Sequence, residues 1–124
     1  MRLLLDTHVA LWWLGDSPEL SDEVKGWLDT EPEVYLSAVS PWEVAIKLSI
    51  GKLPGPSDLA ERLRDSHFKP LVITAAHGAR AGQLPPHHRD PFDRMLIAQA
   101  QTEGLTIVTR DSWIPKYDVQ TLRA

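Results

Sequence analysis

Four acidic residues are spaced so that a folded chain can bring them to one point. Asp6 and Asp111 each follow a short apolar run, and Glu43 and Asp93 fall in the first turns of two predicted helices. Carboxylates that lie close together repel one another, and they stay ionised only when a cation compensates their charge. Oxygen ligands suit Mg²⁺ or Mn²⁺, and these ions serve phosphate chemistry. The four acids therefore predict a small metal-dependent enzyme that acts on phosphodiesters.

Such a site would supply what phosphodiester hydrolysis needs. The reaction requires an activated water and a positive charge to balance the phosphate oxygens as they become more negative. A carboxylate-held Mg²⁺ supplies both, and a second ion would stabilise the leaving oxygen. Because Mg²⁺ keeps several waters and takes few protein ligands, four acids suffice to hold one ion and to steer a second ion or the attacking water.

Apolar runs alternate with helical patterns along the whole chain. Short apolar runs predict four strands and a fifth edge strand: Leu3–Leu5, Val34–Leu36, Leu71–Ile73, Thr106–Val108 and Val119–Leu122. The predicted helices are Val9–Leu14, one capped by Ser21, Pro41–Ile50, one from the cap Ser57 to about Asp65, one capped by Thr74, and Pro91–Glu103. Between the third and fourth helices, Lys52–Pro56 is predicted to be a loop rich in Gly and Pro.

Strands separated by helices are typical of an α/β fold. We expect a single domain, residues 1–124, with a five-stranded parallel sheet flanked by helices on both faces in a Rossmann-like three-layer arrangement. In such sheets the ligand site lies beyond the carboxyl ends of the strands. Asp6 and Asp111 both follow strands, so the sheet would place them at that edge.

Ser40–Glu43 and Asp90–Asp93 share one pattern of cap, proline, aromatic residue and acid. Proline is favoured at the first helical position, and an acid three residues after the cap can bond back to the amide of the cap. Two well-capped helices would explain the pattern fully. Glu43 and Asp93 become site candidates only together with Asp6 and Asp111. Asp90 is either a cap alone or a carboxylate behind the metal ligands, and the cap geometry accounts for it.

Four segments, in this order and spacing, resemble the PIN domain family, and within it the VapC-type toxins of bacterial toxin–antitoxin pairs. They are Leu3–His8, Ser40–Val44, Asp90–Ala100 and Thr109–Asp111. The resemblance implies a Mg²⁺- or Mn²⁺-dependent endoribonuclease with a PIN-like sheet, often a homodimer, that a small antitoxin protein silences. It places the acidic quartet of the family on Asp6, Glu43, Asp93 and Asp111, and it makes Thr109 an accessory residue that orders the site.

Composition limits the location and the partners of the chain. Its 124 residues are 43% hydrophobic, without a run long enough to span a bilayer, and it has no cysteine for disulfides or thiolate metal sites. With no signal-peptide pattern, we expect a cytoplasmic protein. The net charge of −4 argues at first against RNA. Without the four candidate ligands, however, acidic and basic residues balance at 13 each, so bound cations would leave a surface able to meet phosphates.

Other residues have two possible roles. Lys47, Arg94, Arg110 and Lys116 are the basic residues expected near the acids, where they would bind RNA phosphates, although Lys47 could simply pair with Glu43 one turn earlier. Leu11, Trp12 and Trp13 make the first helix apolar nearly all round, which favours either partial burial or a surface for the antitoxin or a second copy. Adjacent His87 and His88 are interpreted as a solvated loop, and His8 is not assigned as a base.

Two other functions deserve comparison with a nuclease. A phosphoacceptor signalling domain also groups acids at strand ends, but it needs an acidic pair after the first strand and a lysine after the last. An aspartyl phosphatase would need a second Asp where this chain has His8. A non-catalytic interaction domain is the third alternative, and the presence of all four acids argues against it.

Overall fold

The computed structural model describes residues 1–52 and 58–124, without the side chains of residues 59 and 60. Its strands are β1 Arg2–Leu5, β2 Glu33–Ser37, β3 Lys69–Leu71, β4 Thr106–Thr109 and β5 Thr121–Arg123. Its helices are α1 Thr7–Leu14, α2 Asp22–Thr30, α3 Val39–Ser49, α4 Leu59–Arg64, α5 Ala75–Gln83 and α6 Pro91–Glu103, and a 3-10 turn covers Ile114–Lys116. None of these helices has the length and apolar character that crossing a bilayer requires.

The strands form one parallel sheet in the order β3-β2-β1-β4-β5, which confirms the predicted fold class. The central strand β1 pairs with β2 on one side and β4 on the other, so that Leu4 lies opposite both Tyr35 and Ile107. The chain moves outward from β1 to β3 and then crosses back to β4. The gap between the carboxyl ends of β1 and β4 is therefore the switch point, where ligands bind in sheets of this type.

Alternation along the strands divides the apolar side chains between two cores. On β1, Leu3 and Leu5 pack with α1 and α2, whereas Leu4 packs on the other face with α6. Helix α3 contributes to both cores, because Val44 belongs to the first core and Val39 to the second. Burial on both faces explains why the central strands are continuous apolar runs.

Capping residues explain where several helices begin. The predicted caps Ser21 and Thr74 accept hydrogen bonds from the amides of Val24 and His77, so α2 and α5 begin where the sequence indicates. Gly104 ends α6 in the left-handed conformation, with φ of 69°, which a residue without a side chain adopts readily. The predicted cap Ser57 and most of the predicted loop before it lie outside the described residues.

The predicted start of α3 is wrong. The hydroxyl of Ser37 accepts a hydrogen bond from the amide of Val39 at 3.1 Å, and the helix begins there rather than at Pro41. Ser40 is consequently inside the helix and fully buried, with its hydroxyl 2.8 Å from that of Thr7. Glu43 therefore lies in the second turn of α3, and the supposed likeness between the two helix starts holds for α6 alone.

The two outer strands are displaced from their predicted positions. The third strand was expected at Leu71–Ile73, but pairing with β2 stops at Leu71 because its partner Ser37 ends β2. Val72 and Ile73 are exposed as a result. The fifth strand begins at Thr121, and Val119 instead packs into the second core.

The buried hydroxyl pair joins α1 to α3 and should be energetically coupled. Ser40→Ala should lower the free energy of unfolding by about 1–2 kcal/mol, because it leaves the hydroxyl of Thr7 buried without its partner. The double variant Thr7→Val/Ser40→Ala should lose less than the sum of the two single variants. Urea denaturation of all four proteins measures this coupling, and strictly additive losses would contradict it.

Candidate metal centre

The four predicted acids line one pocket at the carboxyl edge of the sheet. Asp6 directly follows β1 and Asp111 lies two residues after β4, so these neighbouring parallel strands bring both to the switch point. Glu43 from α3 and Asp93 from the first turn of α6 complete the set. The pocket has a volume of about 400 Å³, and its other lining residues are His8, Val9, Trp12, Lys47, His88, Asp90 and Arg110.

Burial makes negative charge unfavourable in this pocket. Asp93 is 9% exposed, and its burial, together with the charges of Asp6 and Asp90, raises its pKa to about 7. Asp6 is 5% exposed, and its pKa is also raised, above all by burial, although a hydrogen bond from Thr109 opposes the shift. Two of the acids thus resist ionisation until a cation enters.

Thr109 connects the acids of β1 and β4. Its hydroxyl donates to Asp6 Oδ2 at 2.6 Å and accepts from the amide of Asp111 at 3.0 Å. The other oxygen of Asp6 accepts from the amide of His8 at 3.3 Å, which makes this carboxylate the N-cap of α1 as well. The orientation of the Asp6 carboxylate is therefore set by hydrogen bonds from the first turn of α1 and from the adjacent strand β4. The sequence did not indicate the capping role.

Asp90 caps α6, as the sequence predicted. Its Oδ1 accepts from the amides of Phe92 at 2.8 Å and Asp93 at 3.1 Å. The same carboxyl lines the pocket and contributes to the raised pKa of Asp93. The two roles proposed for Asp90 are thus compatible, because one oxygen can cap the helix while the other faces the acids.

The contacts of Glu43 are the clearest indication that a cation fits this pocket. Lys47 Nζ lies 2.5 Å from Glu43 Oε2, which is the ion pair expected one turn apart. The other oxygen, Oε1, is buried and has no hydrogen-bond partner among the described residues. A buried acceptor without a partner is costly, and an oxygen-binding cation would remove that cost. The donor set of hard carboxylate oxygens suits Mg²⁺ or Mn²⁺.

His88 belongs to the site, so its interpretation as part of a solvated loop is wrong. Its Nε2 lies 2.8 Å from Asp93 Oδ2 and 3.8 Å from Asp111 Oδ2, and its side chain is only 17% exposed. Its ring nitrogen and single oxygens of Asp90 and Asp93 all lie within 4.8 Å of one another, close enough to share an ion. The available signal was that His88 lies two residues before the cap Asp90, and so next to the start of α6 that carries Asp93.

The four predicted RNA-binding residues differ in position. Lys47 and Arg110 line the acidic pocket, although Arg110 also pairs with Glu19 at 2.7 Å and lies over the ring of Trp12, 4.7 Å from its centroid. Lys116 lies over the ring of Trp113, with Nζ 4.6 Å from the centroid. These three remain candidates for contacts with phosphates.

Arg94 does not fit the role predicted for it. Its guanidinium donates to the backbone carbonyls of Ala81, Leu84, Pro85 and His88 at 2.8–3.2 Å. It does not line the pocket, and its donors are engaged in holding the loop that precedes α6. The sequence placed it beside Asp93, but neighbouring positions on a helix point in different directions.

The three apolar residues predicted on α1, Leu11, Trp12 and Trp13, differ in what their side chains contact. Trp13 packs edge-on against His67 and Phe68, with ring centroids 4.9 and 4.8 Å away, so it belongs to the margin of the first core. Leu11 is partly buried against the same core. Trp12 lines the acidic pocket and lies beneath Arg110.

Comparison with known proteins identifies the family. Residues 3–120 match the PIN domain. The chain belongs to the PIN domain family. Ribonuclease VapC22 of Mycobacterium tuberculosis is 33% identical to it over 117 residues, which are 88% of this chain and 86% of that protein. Ribonuclease VapC16 of the same bacterium is 40% identical over 55 residues, 41% of this chain and 39% of that protein.

Solved structures resemble the fold over nearly the whole chain. FitAcB from Neisseria gonorrhoeae matches with a TM-score of 0.70 and 26% identity over 98% of this chain and 96% of that one. VapBC2 from Rickettsia felis matches with a TM-score of 0.75 and 14% identity over 99% of this chain and 98% of that one. The second likeness concerns the fold alone.

The raised pKa of Asp93 predicts how the metal-free protein responds to pH. Between about pH 4 and pH 7 the folded protein binds more protons than the unfolded chain, whose Asp has a pKa near 3.8. The free energy of unfolding should therefore fall as pH rises through this window, by roughly 2–4 kcal/mol from Asp93. Asp93→Asn, which carries no charge, should remove that fall.

Chemical denaturation in EDTA at pH 5 and pH 8 measures this difference. Asp29→Asn is the matched control, because Asp29 is exposed on α2 and lies outside the acidic pocket. The control should behave like the wild type. If the wild type and Asp93→Asn lost equal stability between the two pH values, the assignment would be wrong.

Proposed function

We propose that this chain is a Mg²⁺- or Mn²⁺-dependent endoribonuclease and the toxin of a toxin–antitoxin pair. The observation that carries the proposal is the convergence of four carboxylates, three of them buried, in a pocket whose burial opposes their charge. Similarity to Ribonuclease VapC22 over most of the chain supports RNA as the substrate. The preference between the two ions is part of the proposal, and the carboxylates expected to hold them are Asp6, Glu43, Asp93 and Asp111.

The residues of the pocket prepare it for phosphodiester hydrolysis. When bound, Mg²⁺ or Mn²⁺ would supply an activated water and neutralise charge on the phosphate. Thr109 holds one oxygen of Asp6 in place, and the amide of Trp113 holds Asp111 Oδ1 at 2.6 Å. Fixed ligands of this kind need little reorganisation when a substrate binds.

Lys47 provides a positive charge beside the acids. Its hydrogen bond to Glu43 raises its pKa, and the charges of Asp90 and Asp93 contribute to the same shift. It is therefore protonated throughout the physiological range. Because it lines the pocket, we propose that it binds a phosphate oxygen of the RNA; Arg110 lines the same pocket, but its bonds to Glu19 and Ala124 make it the weaker candidate.

The geometry gives no support to a phosphoacceptor domain. Asp6 stands alone after β1, and the lysine that reaches the acids comes from α3 rather than from the end of a late strand. A non-catalytic role would also leave the convergence of all four acids unexplained. No observation on the described residues therefore favours a phosphoacceptor domain or a non-catalytic role.

We further propose that a small antitoxin protein covers α1 and that the chain forms a homodimer. The neighbours FitAB and VapBC are complexes whose structures include DNA fragments, which supports an antitoxin partner for this chain. Trp12, at the rim of the pocket, is the stronger anchor, since Trp13 already packs against Phe68. For the homodimer, Trp42 offers an exposed aromatic surface, packed edge-on against Phe92.

Removing the charge of any member of the quartet should abolish most RNA cleavage. Asp6→Asn, Glu43→Gln, Asp93→Asn and Asp111→Asn should each reduce the rate about 100-fold or more, because each loses a negative charge that would hold the metal ion at the reacting phosphate. Asp90→Asn should lose much less, since Asn also caps helices well. Cleavage of single-stranded RNA with Mn²⁺, and with EDTA as a blank, measures the rates.

The same assay identifies a wrong assignment. Asp29→Asn is the surface control and should cleave like the wild type. If Asp93→Asn kept full activity while Asp90→Asn lost it, the third ligand would be Asp90. Cleavage that persists in EDTA would contradict metal dependence.

The two tryptophans of α1 should have different effects on the antitoxin. Trp12→Ala should weaken antitoxin binding more than cleavage, so that co-expressed antitoxin no longer neutralises toxicity. Trp13→Ala should also weaken binding, but with a lower melting temperature, because it removes the contacts with His67 and Phe68. Growth assays, pull-down and thermal melting measure these effects. Full neutralisation of both variants with unchanged affinity would place the antitoxin elsewhere.

A further inference from the structure

Trp113 is an aromatic residue whose position burial does not explain. Its side chain is 47% exposed, although it lies next to residues that are almost completely buried. Ile114 is fully buried and Tyr117 is 5% exposed, and both belong to the second core. The segment between β4 and β5 is thus anchored by its neighbours, while the large indole ring stays at the surface.

The ring of Trp113 is held in a fixed place beside the acids. Its backbone amide donates to Asp111 Oδ1 at 2.6 Å, so the residue is tied directly to one of the candidate metal ligands. It starts the 3-10 turn Ile114–Lys116, which the bond from the amide of Tyr117 to the carbonyl of Ile114 closes. An exposed ring on a rigid turn loses little freedom when it binds a flat ligand.

A second aromatic ring and a positive charge lie next to the indole of Trp113. His88 stacks beside it, with ring planes inclined by 16° and centroids 6.0 Å apart, and the same His88 contacts Asp93. Lys116 Nζ lies 4.6 Å from the centroid of the indole. Among the described residues, Lys116 has no carboxylate partner, in contrast to Lys47 and Arg110. The ammonium lies over the indole, and without a carboxylate partner among the described residues it can turn toward a phosphate and leave the ring to a base.

We propose that Trp113 and Lys116 form a nucleotide-binding subsite of the RNA, in which a base next to the cleaved bond stacks on the indole and a neighbouring phosphate pairs with Lys116. The subsite rests on the proposed ribonuclease function and adds a place for the substrate outside the metal pocket. One side chain, His88, separates the ring from the carboxylates, so the stacked base belongs to a nucleotide adjacent to the reacting phosphate. Stacking tolerates any base, so the subsite positions the RNA without selecting its sequence.

Trp12 is a weaker candidate for the same role. It also carries a cation, but Arg110 is held by the side chain and the carbonyl of Glu19 and by the carbonyl of Ala124. That guanidinium has few donors left for a phosphate. Lys116 is free of such contacts within the part of the chain that the structure describes, which places the nucleotide at Trp113.

Binding of short oligonucleotides tests the subsite without depending on the cleavage rate. The protein carries Glu43→Gln, which should slow cleavage strongly and does not alter His88 or Asp93, the two residues in contact beside Trp113. The probe is a labelled single-stranded RNA of 20 nucleotides and mixed sequence, and its binding is measured by fluorescence anisotropy with Mn²⁺. Trp113→Leu should weaken binding about 10-fold, whereas Trp113→Phe should bind nearly as tightly as the parent, because only an aromatic ring stacks on a base.

A second probe separates stacking from a general effect on the surface. An oligomer of the same length with its bases replaced by tetrahydrofuran spacers should bind Trp113→Leu and the parent protein equally. Lys116→Met should reduce the slope of log affinity against log salt by about 0.7, the value for one phosphate contact on a single strand. Lys69→Met, on the exposed opposite edge of the sheet, should leave the slope unchanged.

The outcomes distinguish this subsite from the ribonuclease function itself. If the wild type neither binds nor cleaves RNA, the proposed function fails and the subsite fails with it. If the wild type cleaves RNA but Trp113→Leu binds the RNA probe as tightly as the parent, the subsite alone is wrong. If Trp113→Leu instead loses only antitoxin binding or dimerisation, measured by pull-down and light scattering, Trp113 serves a protein contact and the subsite is also wrong.

Discussion

The burial of carboxylates close to one another is the constraint on which the rest of this structure depends. Asp6, Glu43 and Asp93 are all nearly inaccessible to water, and burial raises the pKa of Asp6 and of Asp93, with nearby acids adding to both shifts. Each has a different compensating contact: a hydroxyl for Asp6, an ammonium for Glu43 and an imidazole for Asp93. The helix termini contribute as well, since Asp6 caps α1 and Asp93 lies in the first turn of α6, where the helix dipole favours anions.

This arrangement explains why the site draws on distant parts of the chain. A single strand end could supply one or two acids, but four must come from separate elements to surround one pocket. The parallel sheet brings β1 and β4 side by side at the switch point, and the buried contact between Thr7 and Ser40 fixes α3 against α1. Packing on both faces of the sheet therefore determines the spacing of the four carboxylates, so the stability of the core and the geometry of the pocket depend on the same contacts.

Much of the fold and the acidic pocket could be predicted from the sequence, because both follow from local patterns. Apolar runs marked the central strands, and an acid directly after such a run, as with Asp6, must lie at the carboxyl edge of a parallel sheet. The errors arose where tertiary contacts override local preference. Ser40 has the type and position of a cap, yet it lies inside α3, where its buried hydroxyl contacts that of Thr7 on α1. The predictions for His88 and Arg94 failed for a similar reason, because only the path of the loop shows that His88 faces the acids and that Arg94 bonds to backbone carbonyls.

The hydrogen bonds made by Arg94 have a consequence for how tightly the pocket would bind a metal ion. Its planar guanidinium joins the end of α5 and the loop that carries His88 to the first turn of α6, and Tyr117 adds a hydroxyl that accepts from the amide of His88 at 2.8 Å. A lysine, with one compact charge, could not hold several carbonyls in this way. The loop is therefore ordered before any ion arrives. Little conformational entropy is lost on binding, so ion affinity reflects the charge of the carboxylates rather than the folding of the loop around them.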